Sequence, residues 1–139
     1  MDMHIGRTIK LIDEALARRA NANLRKHNLT IAQSHMLMAL SRSETGIRPL
    51  KELEGSLRLA QSTVAGLAAR LEQKGLVSSE TDANDKRVKL IRLTDAGRAV
   101  CECSRQRIDE TEQLLASRLT DEETTLLRDM LRRVYEAVK

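Results

Sequence analysis

The sequence predicts a mainly α-helical chain with a small β-hairpin wing, a winged helix-turn-helix flanked by N- and C-terminal dimerisation helices. Three patterns lead there. Apolar residues recur at helical spacing in two short neighbouring segments near residues 50–57 and 61–73, a charged alternating stretch at 85–97 runs into a helix start, and apolar stripes occupy both chain ends.

Each element has its own local reason. Ile5, Ile9, Ile12, Leu16, Ala20 and Leu24 make one face of a first helix. Thr30 followed by Gln33 is a capping box, in which two side chains satisfy each other's backbone N–H groups, and it starts the next helix. Leu50, Leu53 and Leu57 mark a short helix, and Val64, Leu67, Ala68 and Leu71 mark another. A short turn near residues 58–60 makes the pair a helix-turn-helix. Lys74 and Gly75 close the second helix with a cation in the last turn and a glycine just past it.

Leu76 and Val77 then open a hairpin, and Asp82, Ala83, Asn84 and Asp85 turn it by bonding side chain to backbone. Its tip carries Lys86 and Arg87. On the return strand Val88, Leu90 and Arg92 share one face, with Lys89, Ile91 and Leu93 on the other. Residues 94–118 read as a long polar helix, sparse in apolar positions (Val100, Ile108, Leu115, Leu119) and suited to a connecting strut. Thr120 and Glu123 form a second capping box, starting a last helix striped by Leu127, Met130, Leu131, Val134 and Val138.

Composition narrows the function. With 139 residues the chain is about one domain. Tyr135 is the single aromatic residue, so the core must be aliphatic, and base-stacking platforms for single-stranded nucleic acid are lacking. The net charge is +4 and the pI about 9.4, a mild attraction to polyanions. Residues 1–57 hold nine cations and six anions, 58–98 eight and five, 99–139 seven and nine, so the positive balance lies away from the C-terminal part.

The second helix of a helix-turn-helix enters the major groove with its N-terminal residues at the base edges. Gln61, Ser62 and Thr63 are therefore the candidates for base or nearby phosphate contact, with Arg70 and Lys74 further along the helix as phosphate contacts. Lys86 and Lys89 add phosphate attraction from the hairpin.

Leu71-Glu72-Gln73-Lys74-Gly75-Leu76-Val77, then Asp85-Lys86-Arg87, then Leu93-Thr94-Asp95-Ala96-Gly97 resemble the MarR family of winged helix-turn-helix transcription regulators in order and separation. The match covers residues 50–97 at motif level. It implies a single MarR-like domain over 1–139, with a DNA-binding lobe at 30–98 and dimerisation helices at 1–28 and 99–139. It implies a homodimer whose recognition helices lie in the major groove of a palindromic operator, with Arg87 reaching the minor groove and Asp85 steadying it. It further implies a small amphipathic effector bound where the dimerisation helices meet the DNA lobe. The chain departs from the family's habits at Ser79, where an arginine is frequent, at Gly66, where a larger polar residue is, and at Arg58, where a glycine is.

The two end stripes can pack on each other within one chain or across a two-fold axis, where they would bury an isologous interface. A dimer would set two recognition helices about 34–36 Å apart, one duplex turn. No phosphate loop, zinc-protease motif or nucleophile elbow is present, and the expectation is no enzyme, no cofactor and no metal. His4, His27 and His35 are scattered. Cys101 and Cys103, two apart on a helix, point to nearly opposite sides and cannot join. Two cysteines without a signal peptide suit a reducing cytoplasm, and no run is long enough to span a membrane. The reading is a sequence-specific double-stranded DNA-binding regulator, a repressor released by a small ligand. The alternatives are a dimeric winged-helix interaction protein with weak DNA contact, or a redox-responsive regulator using Cys101, or a metal-responsive one.

Overall fold

A computed structural model describes residues 3–139. In chain order its elements are α1 (Ile5–Lys26), α2 (Ile31–Ser41), β1 (Ile47–Pro49), α3 (Leu50–Leu57), α4 (Gln61–Gln73), β2 (Val77–Thr81), β3 (Lys89–Leu93), α5 (Asp95–Ala116) and α6 (Asp121–Val138). The chain groups into two compact units, one ending at Cys101 and the other running from Glu102 to Lys139, with α5 passing from the first into the second.

Both capping boxes form. Thr30 Oγ1 accepts from the Gln33 backbone at 3.2 Å while Gln33 Oε1 accepts from Thr30 N–H at 3.2 Å. Thr120 and Glu123 repeat the arrangement at the start of α6, where Asp121, Glu122 and Glu123 also suit the positive helix end.

The core of the first unit is aliphatic. Met36, Leu37 and Leu40 of α2, Leu53 of α3, Val64 and Leu71 of α4, Val77 of β2 and Ile91 of β3 are its largest fully buried side chains. Truncating such a leucine to alanine typically costs about 2–5 kcal/mol, so this cluster dominates the unit's stability. The strand alternation read from the sequence holds: Ile91 and Leu93 turn inward and Arg92 outward.

The sheet has one strand more than the hairpin. β1 pairs antiparallel with β3 through Ile47↔Arg92 and Pro49↔Leu90, and β2 pairs on the other side through Val77↔Leu93 and Thr81↔Lys89, giving the order β1-β3-β2. Proline is tolerated in β1 because that strand lies at an edge.

Thr94 fastens the hairpin to α5. Its N–H donates to Leu76 O at 3.1 Å, its hydroxyl donates to Gly75 O at 2.6 Å, and the same oxygen accepts from Gly97 N–H at 3.1 Å. The first turn of α5 thereby lies so close to the residue preceding β2 that a Cβ on Gly97 would sit 2.1 Å from Leu76 O. In the second unit, Glu112 of α5 meets Arg128 of α6 at 3.5 Å, an exposed pair of small energetic weight.

Because backbone, not a movable side chain, occupies the space beside Gly97, Gly97→Ala should destabilise the protein by about 2 kcal/mol or more in urea unfolding. An unchanged midpoint would contradict this packing.

Candidate nucleic-acid interface

α4 is held by one face. Val64, Leu67, Ala68 and Leu71 are buried, whereas Gln61, Ser62, Thr63, Gly66, Ala69, Arg70 and Gln73 are exposed. All three candidates at its first turn therefore face solvent, and Arg70 lies two turns further along. Residue 60 is alanine, which has no side-chain acceptor to cap the helix. The first-turn N–H groups and the positive end of the helix dipole are left to an outside acceptor, and a phosphate oxygen suits both.

The turn into α4 is made by Arg58, exposed and left-handed at φ +53°, at the position where the family often places glycine. Gly66 has no such conformational reason: a Cβ there would meet nothing within 4 Å. Ser62, Gly66, Ala69 and Gln73 fall on one exposed face of small and polar residues.

The wing tip is tightly specified. Asp82 accepts from Asn84 N–H at 2.8 Å, and Asp82 N–H donates to Val88 O at 2.9 Å. Asp85 accepts from Arg87 three times: backbone N–H at 3.0 Å, Nε at 3.1 Å and Nη2 at 3.2 Å. The Arg87 side-chain bonds first, and its backbone N–H second, hold the Asp85 carboxyl below its ordinary value of 3.8. A depressed carboxylate stabilises the fold above the unfolded value and loses that contribution as acid titrates it, so this contact is intact at neutral pH. The Arg87 side chain nevertheless remains 91% exposed, and Lys86 and Lys89 are exposed beside it. Arg92, further along β3, pairs with Glu80 of β2 at 2.7 Å.

One candidate site residue and one departure from the family's pattern have partners within the protein. Lys74, read from the sequence as a phosphate contact, donates its ammonium to the Asn28 carbonyl and to Gln33 Oε1, the latter at 2.9 Å. Ser79 donates to the Glu72 carboxylate through its N–H at 2.9 Å and its hydroxyl at 3.1 Å, tying β2 to α4 where the family often has arginine. The bonds of Lys74 to Asn28 and Gln33 were not foreseen; an open cleft of about 420 Å³ lined by Asn21, Leu24, Arg25, Leu29, Thr30 and Ile31 lies where α1 leads into α2. The Thr30–Gln33 box was the available signal, but no local rule links residue 33 to residue 74.

Cys101 is 4% exposed and lies 3.5 Å from the Leu37 carbonyl, whereas Cys103 is exposed. Cys101 thus packs with the aliphatic core, the usual setting of a thiol that serves as a small apolar group. Among the described residues no group of three His, Cys, Asp or Glu side chains is placed to hold a metal ion, and no helix is long and apolar enough to cross a membrane.

A helix-turn-helix whose second helix is polar outward, followed by a cation-tipped hairpin on the same compact unit, is a winged helix-turn-helix. Its relatives narrow the class. The MarR family model matches residues 29–89. The chain is 31% identical over 131 residues to the multiple antibiotic resistance protein MarR of Escherichia coli strain K12, covering 94% of this chain and 90% of that one. The crystal structure of MepR, a transcription regulator of the Staphylococcus aureus multidrug efflux pump MepA, superposes with a TM-score of 0.85 at 26% identity, covering 99% and 100% of the two chains. The S. aureus MepR–DNA complex gives 0.83 at 28% identity over 94% and 96%. The chain belongs to the MarR family of winged-helix transcriptional regulators.

Since nothing inside the protein opposes a methyl group at residue 66, Gly66→Ala should raise stability by about 1 kcal/mol through helix propensity alone. A urea midpoint that falls would show that the glycine serves the fold.

Proposed function

We propose that this protein is a sequence-specific duplex DNA-binding repressor that acts as a homodimer and is released by a small amphipathic ligand. The observation that carries the reading is the pairing, within one unit, of an outward-facing helix start without a side-chain cap and an exposed guanidinium on a fixed hairpin tip. The relative MepR, 28% identical, has a solved complex with DNA, which supports duplex DNA as the partner here.

In this reading Gln61, Ser62 and Thr63 meet base edges or the adjoining phosphate, and Arg70 meets a phosphate further along. Arg87 enters the minor groove, where narrow A·T-rich tracts concentrate negative potential. Asp85 holds that guanidinium in shape, while Lys86 and Lys89 attract phosphate. Repression follows from occupying a site that polymerase needs.

Dimerisation is supported by apolar side chains standing exposed on both terminal helices. On α1, Ile5, Ile9 and Ile12 are 72%, 41% and 45% exposed. On α6, Leu127, Met130, Leu131 and Val134 are 37–48% exposed, and neither helix has a buried residue. A second copy would cover them and bring a second recognition helix onto a palindrome. The cleft between α1 and α2, with Arg25 and Asn21 beside Leu24, Leu29 and Ile31, has the mixed lining an amphipathic effector needs. Binding there would act on DNA affinity only through a difference between the two states, commonly about 1–3 kcal/mol.

Selection of bound duplexes from a random pool should enrich a palindrome with half-sites one helical turn apart, and light scattering should give twice the chain mass. Recovery of no preferred duplex would remove the reading. On the selected duplex, Gln61→Ala should relax base preference at a cost of about 1–3 kcal/mol, and Arg87→Ala should weaken binding wherever the flanking minor groove is A·T-rich. Equal affinity for wild type and Arg87→Ala would exclude the wing. Ala60→Asp separates fold from function: the new cap should stabilise α4 by about 1 kcal/mol, yet its charge should lower DNA affinity by repelling phosphate. A parallel rise in both would place the α4 start away from DNA.

A further inference from the structure

Lys74 stands exposed at the C-cap of α4, and its side chain reaches the corner between α1 and α2. Two acceptors meet it there. The Asn28 carbonyl belongs to a residue in the left-handed region, φ +54°, just past the end of α1. Gln33 Oε1 belongs to a buried polar residue, with 3% exposure, and it also accepts from Thr30 N–H at 3.2 Å. One amide oxygen thus serves a helix cap and a lysine 41 residues further along the chain.

We infer that Lys74 is a positioning residue for DNA recognition: through Gln33 and Asn28 it locks the C-terminal end of α4 to the α1–α2 corner, and so sets where Gln61, Ser62 and Thr63 are presented. This rests on the DNA-binding reading above and changes the part that Lys74 plays in it. Two of the ammonium's three N–H groups go to these acceptors and tie the lysine to the corner, and withdrawing it would leave the buried Gln33 oxygen with the Thr30 N–H alone. A hydrogen bond from a charged donor is worth more than a neutral one, so its loss loosens the corner although the Gln33 oxygen stays bonded. Leverage explains why the far end of the helix would respond. Residues 61 and 74 are separated by about 20 Å of helix axis, so a small tilt at the anchored end displaces the tip by an ångström or more.

Salt dependence separates anchor from contact. A lysine that neutralises a phosphate contributes about 0.9 to the slope of log affinity against log salt, whereas an anchor contributes nothing to it. Binding of the duplex selected from the random pool is measured over a salt series for wild type, Lys74→Met, Gln33→Met and the double variant. Thermal melts by circular dichroism establish that each is folded. The expected result is an affinity lowered about tenfold in either single variant, an unchanged slope, and a double variant no weaker than the worse single one. Lys74→Arg, which keeps charge and donors, should restore most of the affinity. If Lys74→Met does not fold, Lys74→Gln carries the same slope measurement.

A slope reduced by about 0.9 in Lys74→Met, with Gln33→Met acting additively, would overturn the inference and return Lys74 to the phosphate contacts. Unchanged affinity in both single variants would overturn it as well. Wild-type protein showing no salt-dependent affinity for any duplex would remove the DNA-binding reading and this inference together, an outcome distinct from either of the others.

Discussion

The burial of one face of α4 is the constraint on which the rest of the lobe depends. Val64 and Leu71 are fully enclosed together with Met36, Leu40 and Leu53, so the helix cannot rotate about its axis without exposing leucine to water. Each such side chain is worth about 1.5–3 kcal/mol of transfer free energy. That grip fixes which residues look outward. The polar first turn, Gly66 and Arg70 are exposed because the apolar spacing leaves them no alternative, and the chain obtains a rigid presenting surface from a core that contains no aromatic side chain.

β3 plays the corresponding part for the wing. It is the central strand, bonded to β1 on one edge and β2 on the other, and Ile91 pins it to the core with no exposed surface. From that base the chain leaves toward residues 82–88, where Asp82 and Asp85 replace missing strand bonds with side-chain ones. Thr94 and the bare backbone of Gly97 join the other end of β3 to α5. Wing and strut therefore start from one strand, and α4 reaches the same sheet through the Glu72–Ser79 bonds.

Most of this was legible in the sequence, because most of it is local. The Thr30–Gln33 and Thr120–Glu123 boxes, the three- and four-residue spacing in α3 and α4, and the alternation along residues 88–93 each follow from interactions within a few residues. β1 was not legible: three residues ending in Pro49 carry no alternation, and they become a strand only because β3 offers an unpaired edge. The positive φ of Arg58 was marked only by the family's glycine at that position, since arginine itself has no preference for the left-handed region in which it ends α3. Lys74 illustrates the limit most clearly. A cation at a helix end is expected from the dipole, but its partners lie 46 and 41 residues away, and only packing brings them together.

The chelated guanidinium at the wing tip has a kinetic corollary. Arg87 arrives already paired with Asp85, so the tip carries less net charge and fewer loose rotors than a bare arginine. On the proposed reading, such a tip adheres weakly to arbitrary duplex and loses little entropy when it docks. Scanning along a genome is then slowed less by the wing, and the dwell at the right groove owes more to shape than to stickiness.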